Sequence, residues 1–334
     1  MGFIGRSFVV RRVIRFLDLS LSPKDLFKPL FDEYKPDLIF STDIQNENDV
    51  SLAQDAIRRG VKTVGMIRSW DNPTQRILRV WPDKLLVGSR ALYDEVWKYY
   101  RYPREKTIIT GNPHYDKYLH PRITGREEFF KKWGLDLAKK LLLYTASGHI
   151  LMKVNDYDQH IMETLGQFDG QVLVRFPLSG DVRLVDFKQP ANMAIDKPGE
   201  KFGNKELELR EEDDISLIEQ LTYADVVITG PTSVCLDAAF FDRPVIAADF
   251  YPTGRHLYEK NWGFITAHIK NLLKTDGVTY VKSAPEMFAA IEAYLKNPKL
   301  NSEGRAKIRE KWFSHIDGRS SERLAGELLN TLSS

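Results

Sequence analysis

ADVVITGPTSVCLDAAFFDRPVI, residues 224–246, is the stretch that decides the fold. A short apolar run, ADVVIT, stops at Gly230-Pro231. Thr232 and Ser233 then open a helical pattern, and RPVI begins a second apolar run. Strand, tight turn, helix and strand in that order make a βαβ unit and require a parallel sheet. The turn offers backbone N–H groups, two hydroxyls and the positive end of a helix, which together suit a diphosphate. Asp237 lies one helical turn beyond Ser233 on the same face, within reach of a ribose or sugar hydroxyl. A plainer reading of the same residues is a helix capped by Thr232 or Ser233 with no ligand.

The same alternation extends in both directions. DLIF (37–40), KTVGMI (62–67), KLLVG (84–88) and KTIIT (106–110) read as buried strands in the first third. KKLLLYTA (139–146), QVLVRF (171–176) and RPVIAAD (243–249) join ADVVIT in a second set, with a long, polar, irregular connection expected across 177–212. Ser22-Pro23, Asn72-Pro73, Thr124-x-x-Glu127 and Ser283-x-x-Glu286 are expected to start helices. Two further helices are expected near 300–313 and 319–331. A boundary near 120–125 gives domains over 1–122 and 123–312, with a terminal helix over 313–334. The fold class is therefore α/β with two Rossmann-like parallel-sheet domains, whose ligand belongs in a cleft at the strand C-termini. The front is unusual because two helices precede the first strand; either the first domain is abbreviated or upstream residues lie outside this chain.

Composition narrows the function. At roughly 100–200 residues per domain, 334 residues fit two domains. Lys and Arg number 48 against 46 Asp and Glu, too balanced for a nucleic-acid coat. The single cysteine, Cys235, excludes a disulfide framework and reads as a small buried filler. No apolar run approaches the roughly 20 residues of a membrane span, and residues 1–19 lack the uninterrupted apolar core of a signal peptide. RSFVVRRVIRFLDL (6–19) is an amphipathic helix, expected to pack in the ordinary way, with membrane-surface contact as the alternative. A cytoplasmic protein is expected, with peripheral association at the inner face of the plasma membrane as the second arrangement.

Four other stretches, SWDNPT (69–74), YPREKTIITGNPHYD (102–116), KKLLLYTASGH (139–149) and IDGRSSERLAGELL (316–329), agree with residues 224–246 in order and spacing. Together they resemble the nucleotide-sugar-dependent GT-B glycosyltransferases, and most closely the CDP-glycerol glycerophosphotransferase-like family. The resemblance spans roughly residues 35–330. It implies donor binding by the second domain, acceptor binding by the first, and a C-terminal helix crossing back to the first domain.

Site residues follow from that likeness. Donor contacts are expected from Ser147, Gly148, Arg175, Gly230, Thr232, Ser233 and Asp237, with His149 stabilising the leaving diphosphate. Acceptor-side residues are Arg68, Trp70, Asn72 and His114, with Arg319 as a further phosphate contact. The resembling enzymes carry Trp-His-Gly where this chain has Trp70-Asp71-Asn72, so Asp71 stands where their catalytic histidine would be. A carboxylate there can take the proton of an acceptor hydroxyl, although an Asx-turn or helix cap explains an aspartate before Asn-Pro equally well. A second departure is Arg175-Phe176-Pro177, where the family tends to carry Arg/Lys-x-His-Pro; it leaves a sugar-nucleotide donor as plausible as CDP-glycerol. Asp156-Tyr157-Asp158 matches a metal-binding DxD pattern formally, but no metal is expected.

The resulting expectation is a metal-independent, inverting transfer from a UDP- or CDP-linked donor to a glycan or lipid-linked acceptor, with no cofactor. A non-hydrolysing UDP-sugar 2-epimerase shares the fold, but an acid-rich Thr-Glu-Arg-Pro-Glu-like stretch would then follow RPVI, where this chain has ADFYPTGRHL. A non-catalytic nucleotide- or glycan-binding scaffold is the third reading.

Overall fold

A computed structural model describes residues 8–148, 156–178, 182–202, 206–252 and 262–334. The chain divides into two compact units, Met1–Leu119 with Glu310–Ser334, and His120–Arg309.

The first unit begins with α1 (Phe8–Leu21) and α2 (Lys28–Tyr34) and then alternates: β1 (Leu38–Ser41), α3 (Glu47–Arg58), β2 (Lys62–Met66), α4 (Asn72–Gln75), β3 (Lys84–Val87), α5 (Arg90–Tyr100), β4 (Thr107–Ile109) and α6 (Pro113–Leu119). Its four strands are parallel and lie in chain order, β1-β2-β3-β4. One face packs Val50, Ala53, Leu85, Val87 and Val96 into a core. The other face holds Val64, Met66 and Leu86.

The second unit contains α7 (Arg126–Lys132), β5 (Leu141–Thr145), α8 (Tyr157–Leu165), β6 (Gln171–Arg175), β7 (Met193–Asp196), β8 (Glu200–Phe202), β9 (Glu206–Glu208), α9 (Glu211–Tyr223), β10 (Val226–Thr229), α10 (Val234–Phe240), β11 (Val245–Ala248), α11 (Ala267–Leu273), β12 (Thr279–Val281) and α12 (Ala284–Lys296). Six strands form a parallel sheet ordered β12-β11-β10-β5-β6-β7, and β8 and β9 pair as a separate hairpin. The chain winds outward from β5 to one edge, then returns to β10 and winds to the other. The switch point therefore lies between β5 and β10, flanked by residues 145–148 and 230–233; open α/β sheets bind ligands at such a point.

The helix α13 (Ser302–Trp312) leads to α14 (Ser320–Ser333), which belongs to the first unit. Leu324 and Leu328 of α14 cover the Val64, Met66 and Leu86 face. Lys62 donates to the carbonyl of Thr331 at 2.9 Å, and Lys84 pairs with Glu327 at 2.9 Å.

Several local expectations need correction. Residues 177–212 are not an irregular connection: they contribute β7 to the main sheet and the β8–β9 hairpin. Ser22 does not start α2. Its hydroxyl accepts from Arg58 at 2.6 Å at the end of α1, and α2 begins at Lys28. Thr124 does not close a capping box with Glu127, because its N–H and hydroxyl both go to Glu219, at 2.8 and 2.7 Å. Ser283 does cap α12, accepting the Glu286 N–H while Glu286 accepts the Lys282 N–H.

Candidate functional site

In the first unit, β2 delivers residues 67–72 to the C-terminal edge of the sheet. Arg68 is exposed there. Trp70 packs edge-on against Trp312, with ring centroids 6.0 Å apart. Asp71 occupies the N-cap position of α4, but its carboxylate makes no cap bond; it accepts from the Gln75 side chain at 2.8 Å. Asn72 is buried, and its carbonyl accepts from the Tyr100 hydroxyl at 3.3 Å. Two residues of the loop leaving β1 complete the neighbourhood: Gln45 donates to the Tyr100 hydroxyl at 2.8 Å, and the buried Asp43 holds Arg76 at 3.2 Å.

The sequence reading missed Glu95. It projects from α5, which packs against α4, and its Oε2 is buried with no hydrogen-bond partner. Burial pushes its carboxyl up to about 7; Lys311 and Lys98 oppose that shift, and the negative charge of Asp71 adds to it. A carboxyl near 7 beside a second carboxylate is an arrangement suited to proton transfer. Nothing in the sequence marks Glu95, because a glutamate in an amphipathic helix is ordinary.

His114 and Arg319 sit elsewhere in this unit. The His114 ring meets Tyr115 and Tyr118 edge-on, and its Nε2 lies 3.2 Å from the Tyr118 hydroxyl. That is an aromatic packing cluster, continued by Tyr115 against Phe313. Arg319 pairs with Glu322 at 2.8 Å on the exposed start of α14.

In the second unit, the two loops at the switch point are joined by hydroxyls. Thr145 Oγ1 donates to Thr229 Oγ1 at 2.8 Å across β5 and β10, and Thr229 Oγ1 lies 2.8 Å from Thr232 Oγ1. Gly230 is buried, and its carbonyl accepts the Thr232 N–H at 2.9 Å. Ser233 is exposed at the N-cap of α10 and makes no side-chain cap bond. Asp237 is 6% exposed, one turn further on. Cys235 is buried, and desolvation raises its thiol to about 12, which makes it an inert filler.

The expectation that the backbone of residues 147–148 contacts phosphate needs revision. Asp158 accepts the N–H groups of Ser147 and Gly148 at 2.8 and 2.9 Å and the Tyr144 hydroxyl at 2.6 Å. What this loop retains is the Ser147 hydroxyl, buried without a partner. Gly148 holds a left-handed backbone, φ +68°, that glycine adopts at least cost. With both oxygens of Asp158 engaged, Asp156 and Asp158 are not a chelating pair. Among the described residues no cluster of three or more His, Cys, Asp or Glu is placed to hold a metal ion. His149 lies outside the described residues.

Arg175 is likewise committed. It is 7% exposed, pairs with Asp196, and donates to the Asp213 carbonyl at 2.9 Å, while Gln220 also donates to Asp196 at 2.6 Å. Its role here is to tie β6, β7 and α9 together, and it is not placed to reach a donor. The guanidinium is legible in the sequence, but its buried acid is not, since Asp196 lies in the segment read as irregular.

Comparisons with known proteins agree with this architecture. None of the curated proteins compared with the chain matches it. UDP-GlcNAc 2-epimerase from Neisseria meningitidis, solved with UDP-GlcNAc, is similar over 99% of this chain and 84% of its own at 13% identity, with a TM-score of 0.60. A glycosyltransferase from Rickettsia africae is similar over 98% and 84% at 11% identity, with a TM-score of 0.50. The wall teichoic acid polymerase TagF is similar over 78% and 60% at 18% identity, with a TM-score of 0.46. At such identities the first two likenesses show a shared fold, the GT-B type. The family model for CDP-glycerol:poly(glycerophosphate) glycerophosphotransferase matches residues 61–330, from β2 of the first unit to α14, and the chain belongs to that family of transferases.

Proposed function

We propose that the chain transfers a glycerophosphate-type group from a cytidine diphosphate-linked donor to a hydroxyl of a surface-polymer acceptor. Family membership over residues 61–330 carries this reading. In the second unit, the Ser233 hydroxyl, the Ser147 hydroxyl and the backbone of 230–233 are assigned to the donor diphosphate, with Asp237 on the ribose. In the first unit, Asp71 is assigned the proton of the acceptor hydroxyl, beside Trp70. The acceptor oxygen attacks the glycerol-bearing phosphorus as the bond from phosphorus to the bridging oxygen breaks. Asp71 takes the acceptor proton, and the nucleoside monophosphate leaves. No metal ion or cofactor is assigned to the step.

One observation favours a second reading, a sugar-nucleotide donor. Asp71 stands where the resembling glycerophosphotransferases carry a histidine, Arg175-Phe176-Pro177 lacks the histidine of their Arg/Lys-x-His-Pro motif, and Arg175 is held in a buried ion pair. Thermal-shift measurements with CDP-glycerol and with UDP-, GDP- and dTDP-sugars separate the two. Stabilisation by CDP-glycerol alone, followed by release of CMP in the presence of a glycerophosphate acceptor, supports the first. Stabilisation by a sugar nucleotide, with none by CDP-glycerol, replaces it with glycosyl transfer.

A further inference from the structure

The turn that leaves β1 carries two buried oxygens that the fold does not use. Asp43 is 7% exposed and Gln45 8%. Asp43 Oδ1 and Gln45 Oε1 are both covered, and neither has a hydrogen-bond partner among the described residues. Folded chains seldom leave a buried acceptor without a donor, because the group has lost its water and gained nothing. Two in one short turn call for donors from outside the chain.

Both oxygens are held in place. The Tyr100 hydroxyl gives its proton to the carbonyls of Arg76 and Asn72, at 2.9 and 3.3 Å, so from Gln45 it can only accept, at 2.8 Å. That fixes the amide nitrogen of Gln45 on Tyr100 and leaves the amide oxygen to another donor. The second oxygen of Asp43 binds the Arg76 guanidinium at 3.2 Å. Between the two acceptors, the Ile44 N–H donates to the Met66 carbonyl at 3.2 Å, and a Cβ on Gly65 would meet the Ile44 side chain at 2.7 Å. The turn is thereby pinned against β2. Arg76 ends the short helix α4 that Asp71 opens, which links both acceptors to the assigned base through one turn of helix. The Arg76 side chain is itself 49% exposed, and a half-solvated ion pair of this kind yields at little cost.

The chemistry of the ligand follows from the charges. Arg76 already balances the Asp43 carboxylate, so the turn lacks hydrogen-bond donors rather than positive charge. Hydroxyl groups are such donors. We propose that Asp43 and Gln45 determine acceptor specificity, each accepting from a hydroxyl of a polyol or sugar acceptor and so presenting a neighbouring hydroxyl to Asp71. Asp43 and Gln45 bind and orient, and the proton still goes to Asp71. This assignment rests on the transfer reading for the identity of the ligand as acceptor, but its test needs no donor.

NMR titration of the full chain, without nucleotide, compares two probes of equal carbon count. Erythritol, with a hydroxyl on every carbon, should bind at least about tenfold more tightly than butan-1-ol, whose single hydroxyl serves only one of the two oxygens. Gln45→Met removes one acceptor. Asp43→Asn leaves the amide oxygen on Arg76 and puts an NH2 group where the free carboxylate oxygen was. Each should weaken erythritol binding by about fivefold or more, with folding checked by thermal melting. If Gln45→Met fails to fold because Tyr100 loses its donor, Asp43→Asn and the probe pair still decide. Equal binding of the two probes, or erythritol affinity unchanged in folded variants, overturns the proposal. So does stabilisation of wild type, but not of Asp43→Asn, by calcium or magnesium chloride without polyol binding; that outcome gives the oxygens to a cation. Selective erythritol binding that Asp43→Asn weakens, in a chain that no activated donor stabilises, upholds the hydroxyl subsite and retires the transfer reading. Stabilisation by CDP-glycerol without erythritol selectivity retires the subsite alone.

Discussion

The carboxylate of Asp116, at the end of GNPHYD, accepts the backbone N–H of Ser321 at 3.1 Å. It also accepts the N–H of Ser320 at 3.2 Å and the Ser321 hydroxyl at 3.3 Å, so a side chain from α6 caps α14 across some two hundred residues of sequence. Arg323 reinforces the joint by donating to the Thr110 carbonyl at 2.9 Å. Gly111, at φ +81°, lies so close to Ser320 that a Cβ would collide with its hydroxyl. Two motifs that look independent in the sequence are one structural joint.

The joint is measurable. Asp116→Ala removes the cap and should cost about 0.5–2 kcal/mol of stability, the usual range for a lost N-cap. Arg319→Ala, which removes only an exposed pair with Glu322, should cost less than about 0.5 kcal/mol. Urea denaturation compares the two, and equal losses would deny Asp116 its capping role.

The Asp158 carboxylate meets three donors, so Asp158→Asn turns an NH2 group toward at least one N–H or O–H. The expected loss is about 1–3 kcal/mol, the range for a buried group left unsatisfied. A fold as stable as wild type would show that the loop does not hang on Asp158.

Most strands are legible because each is a short apolar run closed by a turn, and eight of the expected runs coincide with β1–β6, β10 and β11. The exceptions have physical causes. Met193–Asp196 is an edge strand of four residues flanked by polar sequence, so neither length nor periodicity marks it. The sheet ladder supplies what the sequence lacks, pairing Val172 to Met193 through Arg175 to Asp196. Caps mislead where a better tertiary acceptor is close, as Glu219 is for Thr124. Site residue types are visible in Ser147, Arg175 and Asp71, but not their commitments, since hydrogen-bond partners such as Asp158 and Asp196 are fixed only by folding.

Donor binding can be tested without disturbing the fold. Thr232 belongs to the Thr145–Thr229–Thr232 hydroxyl chain, so Thr232→Ala affects folding as well as binding. Ser233 is exposed and caps nothing. Ser233→Ala should therefore weaken nucleotide binding by about 1–3 kcal/mol, the range for a hydrogen bond to a charged group, while leaving the melting temperature in place. Unchanged affinity in calorimetry removes Ser233 from the donor site.

Asp71 and Glu95 give the most demanding test, because one pair of variants speaks to stability and to chemistry. The carboxyl of Glu95 is raised from its ordinary value near 4.5 to about 7, chiefly by burial. Between those two values the unfolded chain has released this proton and the native chain still holds it. Stability contributed by Glu95 is therefore complete below pH 4.5 and lost as pH rises toward 7, by up to about 3 kcal/mol. Glu95→Gln should flatten that slope and leave the protein more stable than wild type at pH 8, as read by urea denaturation across pH. Asp71→Asn preserves shape and abolishes basicity. Since the Asp71 carboxylate makes no cap bond, the substitution should spare α4. It should lower turnover by about 10²–10⁴-fold, the usual contribution of a general base, with donor affinity near wild type. A limb of the pH–rate profile near pH 7 that follows the Glu95 carboxyl should disappear in Glu95→Gln, because the amide does not titrate. An Asp71→Asn variant that keeps more than about a third of wild-type turnover would falsify its assignment as the base. A large loss in Asp71→Asn together with an unmoved pH profile in Glu95→Gln would keep Asp71 and return Glu95 to a purely structural place in α5.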